Sequence, residues 1–198
     1  MTATLRYFII YKPYLVLSQF SAEANKQTLQ HFFKVPKDVY PVGRLDYDSE
    51  GLLILTNDKQ LNQKLLHPKN NHEKEYWIQA EGLPNQDQLA LLQQGVTITV
   101  DGKPYTTKPC IASLIQGDVD LPERNPPIRF RKNIPTTWLR IVISEGKNRQ
   151  VRKMTAAIGF PTLRLVRHRI QNITIQNLQP GQMVELSKKS IYKKLFNE

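Results

Sequence analysis

The chain has 198 residues, a net charge of +11 and a pI of about 9.8, which is too long for a peptide-scale scaffold and points to a polyanionic partner. Nucleic acid is the commonest such partner, although a basic surface also serves acidic membranes or solubility alone. The sole cysteine, Cys110, excludes an intramolecular disulfide and a zinc site built on cysteines and fits a reducing cytoplasm, while the absence of a long apolar run or a secretory leader predicts a soluble protein.

Residues 8–11 read as a strand leading into Lys12-Pro13, and residues 25–34 carry Leu29, Phe32 and Phe33 at helical spacing, a predicted helix ended by Pro36. Residues 43–58, GRLDYDSEGLLILTND, set an acid in a constrained turn before a buried strand. Gly43 permits backbone geometry that other residues resist, and the apolar run 52–55 reads as a strand covered on both faces. A carboxylate on a loop held by such a strand is both fixed and accessible, as catalytic groups are. By chemistry alone, Asp46 and Asp48 are equally readable as solvated turn residues bonding neighbouring amides.

Asp58 is expected to cap a short helix whose Leu61, Leu65 and Leu66 face inward until Pro68. Residues 75–79, EYWIQ, read as a strand, and residues 85–94 as a helix with Leu89 and Leu92 inside and Gly95 at its end. Residues 96–100 followed by Asp101-Gly102 signal a hairpin, with the return strand expected over residues 108–115. Residues 116–135 combine Pro122, Pro126, Pro127 and Pro135 with Arg124, Arg129, Arg131 and Lys132, a long basic loop that either meets RNA or is a solvated insertion.

Residues 137–144 are a predicted strand, and Asn148 is expected to cap a helix whose Val151, Met154 and Ile158 form one apolar stripe before Gly159. Residues 162–169 alternate Leu163 and Leu165 with Arg164 and Val166, and a last strand is expected near residues 183–186 after the Pro180-Gly181 turn. Residues 187–198 are basic and read as a loosely docked tail. His31, His67, His72 and His168 have no ligand-like spacing and are read as surface or core residues. Hairpins mixed with single helices predict an α+β chain without repeats.

Four blocks carry a resemblance. GRLDYDSEGLLILTND resembles the second motif of the RsuA/Rlu group of pseudouridine synthases, FIIYKP at 8–13 the first, KEY at 74–76 the K-x-Y element, and EGKNRQVRKM at 145–154 the third. The Pro-rich RNPPIRFRKNIPTTWL segment and GFPTLRL are most similar to members acting on the large ribosomal subunit.

The resemblance implies a pseudouridine synthase fold: a central, mostly antiparallel mixed sheet flanked by helices, with an RNA-binding cleft. It also implies one catalytic domain over 1–198, of two lobes around that cleft with a basic tail at 187–198; the family usually adds an N-terminal S4 RNA-binding module, but with Tyr11-Lys12-Pro13 so near the start none is expected here, and target recognition is expected to fall to the catalytic domain. The implied activity is isomerisation of a specific uridine of 23S ribosomal RNA to pseudouridine. Asp46 would be the catalytic carboxylate, attacking C1′ or removing the 2′ proton.

In the same resemblance, Arg44 would contact the RNA backbone or occupy the space a flipped uridine leaves, unless it pairs with Asp48; Tyr76 would stack on the uracil and take the C5 proton. Lys147 falls where many relatives carry an arginine that pairs with the catalytic Asp, leaving Arg149 or Arg152 as competing partners, and Arg149, Arg152 and Lys153 would contact phosphates. The isomerisation changes no oxidation state, so no cofactor or metal is expected. The expected setting is a cytoplasmic monomer whose partner is 23S ribosomal RNA, with no membrane. A non-catalytic RNA-binding or ribosome-assembly protein and an RNA N-glycosylase are the rival readings.

Overall fold

The computed structural model describes residues 4–128 and 134–198. Arg129, Arg131 and Lys132 of the basic loop lie outside the described residues. The chain divides into two units, Met1–His72 with Arg167–Glu198, and Glu73–Val166, each with its own apolar cluster.

In the first unit β1 (Tyr7–Lys12) extends the expected strand by one residue at each end. Two short strands, β2 (Val16–Leu17) and β3 (Gln27–Thr28), pair in parallel. β4 (Tyr40–Pro41) and β1 both pair antiparallel with β5 (Glu50–Thr56), all seven residues of which are buried. The register sets Phe8 opposite Leu55 and Ile10 opposite Leu53. These side chains join Val16, Leu29, Phe33, Val39 and Leu45 in one cluster, each large apolar side chain contributing about 1.5–3 kcal/mol by leaving water.

The helix expected over residues 25–34 does not form. Residues 27–28 are extended against β2, and only one 3-10 turn, Leu29–His31, follows. The spacing of Leu29 and Phe33 is real, since both are buried, but a single turn satisfies it and Phe32 is left 37% exposed. Strand pairing of Gln27 and Thr28 outweighs a weak helical preference. α1 (Lys59–Leu66) is capped by Asp58, whose carboxylate accepts from the amides of Gln60 at 2.9 Å and Leu61 at 3.1 Å. Leu61 and Leu65 share the inner face at i, i+4; Leu66, one residue round, points outward rather than inward.

The second unit starts with β6 (Lys74–Glu81) and α2 (Gln86–Gln94), whose Asn85 cap and Gln88 exchange hydrogen bonds with each other's backbone. The hairpin follows: β7 (Thr97–Val100) returns at once as β8 (Lys103–Thr106), with Asp101 and Gly102 both at positive φ. The return was expected over 108–115 because KPYT, with Pro104, does not read as a strand; in a two-stranded ribbon Pro104 sits on an edge, where its missing N–H costs nothing. β9 (Ile111–Leu114) instead pairs with β10 (Thr136–Ile143), which runs antiparallel to β6 over its whole length.

α3 (Gln150–Ala157) buries Val151, Met154 and Ile158 as expected, but its N-cap is Arg149 in the left-handed region, φ 51°, not Asn148. β11 (Thr162–Ile170) gives its first five residues to the second unit and its last four to the first. Its arginines depart from simple alternation, since Arg164 and Arg167 are both 5% exposed. Each guanidinium finds a carbonyl, that of Pro122 for Arg164 at 2.9 Å and that of Leu52 for Arg167 at 2.8 Å.

Back in the first unit, β12 (Ile173–Thr174) pairs with the end of β11 and β13 (Met183–Glu185) with β1. The last residues are a capped helix rather than a loose tail. α4 (Lys188–Phe196) begins at Ser187, whose hydroxyl accepts from Ser190 N–H, and fully buries Ile191 and Leu195 at i, i+4. Helices with antiparallel strand pairs and the parallel β2–β3 pair make the α+β class expected.

Asp58 joins these pieces. Besides capping α1, its Oδ2 accepts from the hydroxyls of Tyr7 on β1 and Tyr192 on α4, both at 2.8 Å. Burial pushes the Asp58 carboxyl up, but four hydrogen bonds to the ionised form outweigh it and hold the pKa below its usual value. Burial, then the bond to Asp58, raises both tyrosines. A carboxyl depressed on folding adds stability above its unfolded pKa of about 3.9, and this is lost as pH falls through the lower folded value. Denaturant titrations should therefore show Asp58→Ala destabilised by about 3 kcal/mol at neutral pH, from a lost cap and two orphaned hydroxyls, with the gap to wild type narrowing below about pH 4.

Candidate active site

Asp46 lies on the loop between β4 and β5, and its surroundings explain how a loop residue is held. Leu45 is buried in the first unit's core and is gripped by one serine: Ser18 Oγ donates to the Leu45 carbonyl at 2.8 Å and accepts from the Leu45 amide at 3.0 Å. Ser49 N–H closes a turn on the Asp46 carbonyl at 3.0 Å, and Val42 N–H donates to Ile54 of β5 at 2.8 Å. Asp46 itself is half-exposed and Arg44 exposed.

Two glycines allow this path. Gly43 has φ +70°, as its place in the turn suggests, and Gly51 has φ +107° where β5 begins. A Cβ on Gly51 would lie 2.4 Å from the Arg167 carbonyl, so β11's backbone approaches as only glycine permits.

A buried charge cluster stands behind the loop. Lys12, fully buried, donates from Nζ to the carbonyls of Pro13 at 2.9 Å and Val16 at 2.6 Å. Burial pushes its ammonium down to about 7, against the attraction of Glu50, Asp48 and Asp46 and together with the repulsion of Arg167. Glu50 is 2% exposed. Sequence reasoning treated Lys12 as part of the FIIYKP block and did not single out Glu50 or Arg167. A signal exists only for Lys12, which lies between FIIY and PYLVL; Glu50 after Asp48-Ser49 and Arg167 before His168-Arg169 have none.

The remaining expected site residues are in the second unit. Tyr76 on β6 is 9% exposed and packs with Ile78, Ile141 and Met154 in that unit's cluster, so most of its ring is core. Lys147 is exposed, with its ammonium 4.8 Å from the centre of the Tyr105 ring. Arg149 is exposed at the start of α3, Lys153 is half-exposed, and Arg152 is half-buried with a guanidinium nitrogen 3.5 Å from the Thr162 carbonyl.

The EGKNRQ loop is organised by two residues that were not singled out. Glu145 accepts from Tyr105 Oη at 2.5 Å, from Lys108 N–H at 2.9 Å and from Gln150 Nε2 at 2.5 Å. Gln150, 3% exposed, accepts in turn from Lys147 N–H at 2.9 Å. The loop that carries Lys147 is thereby tied to the hairpin and to α3. Burial and the nearby Glu145 push the Cys110 thiol up to about 11, so it stays protonated and is no nucleophile.

Among the described residues, no group of three or more His, Cys, Asp or Glu is arranged to hold a metal ion, and no helix is long and apolar enough to cross a membrane. The first unit offers a positioned carboxylate, and the second, taken by itself, offers cations and a mostly buried aromatic ring.

The Lys12 environment has a measurable consequence. Between its folded pKa of about 7 and an unfolded value of about 10.4 the unfolded chain binds the extra proton, so Lys12 makes stability rise with pH across that interval, by up to about 1.4 kcal/mol per pH unit. Denaturant titrations from pH 7 to 10 should show this rise in wild type and lose it in Lys12→Met; equal slopes in the two proteins would mean that burial does not depress the Lys12 ammonium as described.

The sequence model of RNA pseudouridylate synthases matches residues 6–157. The chain is 52% identical over 185 residues to ribosomal large subunit pseudouridine synthase E of Vibrio vulnificus, covering 93% of this chain and 76% of the relative. It is 47% identical over 176 residues to the protein of the same name from Xanthomonas campestris, covering 88% and 91%. A crystal structure of a pseudouridylate synthase superposes with a TM-score of 0.77 at 26% identity, covering 97% of this chain and 74% of that one. The fold is the pseudouridine synthase fold, and the chain belongs to the RNA pseudouridylate synthase family, isomerases that act on RNA.

Proposed function

We propose that this protein isomerises a specific uridine of 23S ribosomal RNA to pseudouridine, with Asp46 as the catalytic carboxylate, working as a cytoplasmic monomer that needs no cofactor. The observation that carries the reading is Asp46 itself: a half-exposed carboxylate on a loop immobilised by Ser18, by buried Leu45 and by β5, inside GRLDYDSEGLLILTND. The large-subunit relatives at 47–52% identity support ribosomal RNA as substrate.

The reaction breaks the bond from N1 to C1′, turns the uracil and forms the bond from C5 to C1′; the proton on C5 is lost and N1 regains one, so atoms and electrons balance within the nucleotide and a base. Asp46 either attacks C1′ or removes the 2′ proton. Reaching a stacked uridine requires flipping it out at a cost of about a few kcal/mol, which Arg44 and the phosphate contacts of Arg149, Arg152 and Lys153 offset. The ring of Tyr76 stacks on the base and its Oη takes the C5 proton while passing its own hydroxyl proton to water, and Lys147, whose backbone amide is held by Gln150, contributes a cation to the substrate.

Asp46→Asn keeps shape and removes the reacting group. It should abolish tritium release from RNA labelled at uridine C5 while changing stability by no more than about 0.5 kcal/mol; turnover at a comparable rate would remove Asp46 from the mechanism. Tyr76→Phe keeps the ring, so KM should hold while kcat falls by about 10²–10⁴-fold, as loss of a general base predicts. Nucleoside analysis must yield pseudouridine; free uracil would instead identify an N-glycosylase.

A further inference from the structure

We propose that α4 is a second RNA-binding surface, its lysine face gripping phosphates of the same ribosomal RNA; the inference rests on the function proposed above for the choice of RNA.

α4 carries Lys188, Lys189, Lys193 and Lys194 in nine residues and no acid, and all four are exposed. Lys189 and Lys193 project from the side opposite buried Ile191 and Leu195, and Lys194 and Lys188 flank the buried stripe, Lys188 with its ammonium 5.4 Å from the Tyr192 ring. The acids that flank the helix in sequence are engaged elsewhere, Glu185 with Arg6 and Glu198 with Lys64.

This charge pattern costs helix stability. Lys189 and Lys193 are like charges at i, i+4, which opposes the helix by about 0.2–0.5 kcal/mol; the helix dipole disfavours Lys188 and Lys189 in the first turn and favours Lys193 and Lys194 in the last by similar amounts, about 0.3–1 kcal/mol each, so the repulsive pair is what remains. Nine residues are too few to form a stable helix alone. Order is imposed from outside, by the burial of Ile191 and Leu195 and by the Tyr192 hydroxyl on Asp58. A face needed only for solubility has no reason to be of one sign or to be held rigid; fixed cations of one sign are what a polyanion requires.

Two anionic partners have that chemistry, and the structure separates them. A helix that binds an acidic membrane inserts its apolar face between lipids, and the apolar face of α4 is already buried in the protein. Only the lysines are available, and lysine ammoniums with no planar fork and no exposed ring recognise phosphates without regard to sequence.

The experiment compares wild type, the K189Q/K193Q/K194Q variant and the corresponding triple arginine variant. Binding is measured to an in vitro transcript of 23S ribosomal RNA and to an unrelated transcript of equal length across a salt series. Each phosphate contact adds about 0.7–0.9 to the slope of log affinity against log salt, or about fourfold in affinity near 0.15 M salt. The glutamine variant should therefore bind both transcripts about ten- to a hundredfold more weakly, with a slope shallower by about 2, and the arginine variant should bind as wild type does. The melting temperature of the glutamine variant should be unchanged or higher, since its repulsive pair is gone.

Unchanged affinity and slope would overturn the proposal, as would a loss confined to one transcript. So would lysine-dependent binding to phosphatidylglycerol vesicles with RNA affinity intact. Tritium release by wild type is read in parallel: if it fails while the glutamine variant still loses RNA affinity, the uridine isomerase reading is wrong and the α4 surface stands; if it succeeds and affinity does not change, the reverse holds.

Discussion

The complete burial of β5 is the constraint on which the candidate site depends. All seven of its residues are excluded from water, with β1 and β4 paired along it and β11's backbone pressed against Gly51. A strand buried on both faces cannot slip by one residue without moving Glu50 and Thr56 and breaking its cross-strand pairs, so its register is strongly specified. The loop that leads into it inherits that rigidity. Ser18 adds the second anchor by bonding both backbone groups of Leu45, which leaves the neighbouring Asp46 little backbone freedom although its side chain meets solvent. An accessible side chain on a loop is reconciled with precision of placement in this way.

Beneath that loop the first unit buries Lys12, Glu50 and Arg167, an arrangement that stability alone does not favour. Lys12 is stabilised by two carbonyls and three acids yet still titrates near neutrality, because desolvation exceeds those attractions. The surrounding apolar cluster carries the cost of burying these groups. The Asp58 network is the opposite case: a buried acid with two tyrosines and two amides is fully satisfied, and its role is to fasten α1, β1 and α4 to one point.

The second unit uses a similar device in its own loop. Glu145 and Gln150 tie the backbone around Lys147 to the hairpin and to α3, and Arg149 accepts a left-handed conformation at the helix start, at a strain of order 1–3 kcal/mol. The positions that the family resemblance marks for RNA are therefore held by Glu145 and Gln150.

Much of the fold was legible in the sequence, for stated reasons. Long apolar runs and well-capped helices, as in β1, β5, β6, β10, α1 and α2, identify themselves because burial and the helix period leave a direct imprint on residue order. The four motif blocks likewise carried the family and the candidate residues Asp46, Arg44, Tyr76 and Lys147. What the sequence could not settle was which partner answers each local preference. Residues 27–28 joined a strand instead of a helix, Lys103–Thr106 became a strand despite Pro104, and Ile191 and Leu195 turned an apparent tail into an anchored helix. A buried lysine or arginine reads the same in sequence as a solvated one, so Lys12, Arg164 and Arg167 emerged only from the packing. Sequence by itself determined which segments leave water and which residues are of the family's type; tertiary structure alone decided what they meet there, because hydrogen-bond partners, desolvation and register are properties of distant residues brought together, not of their neighbours in the chain.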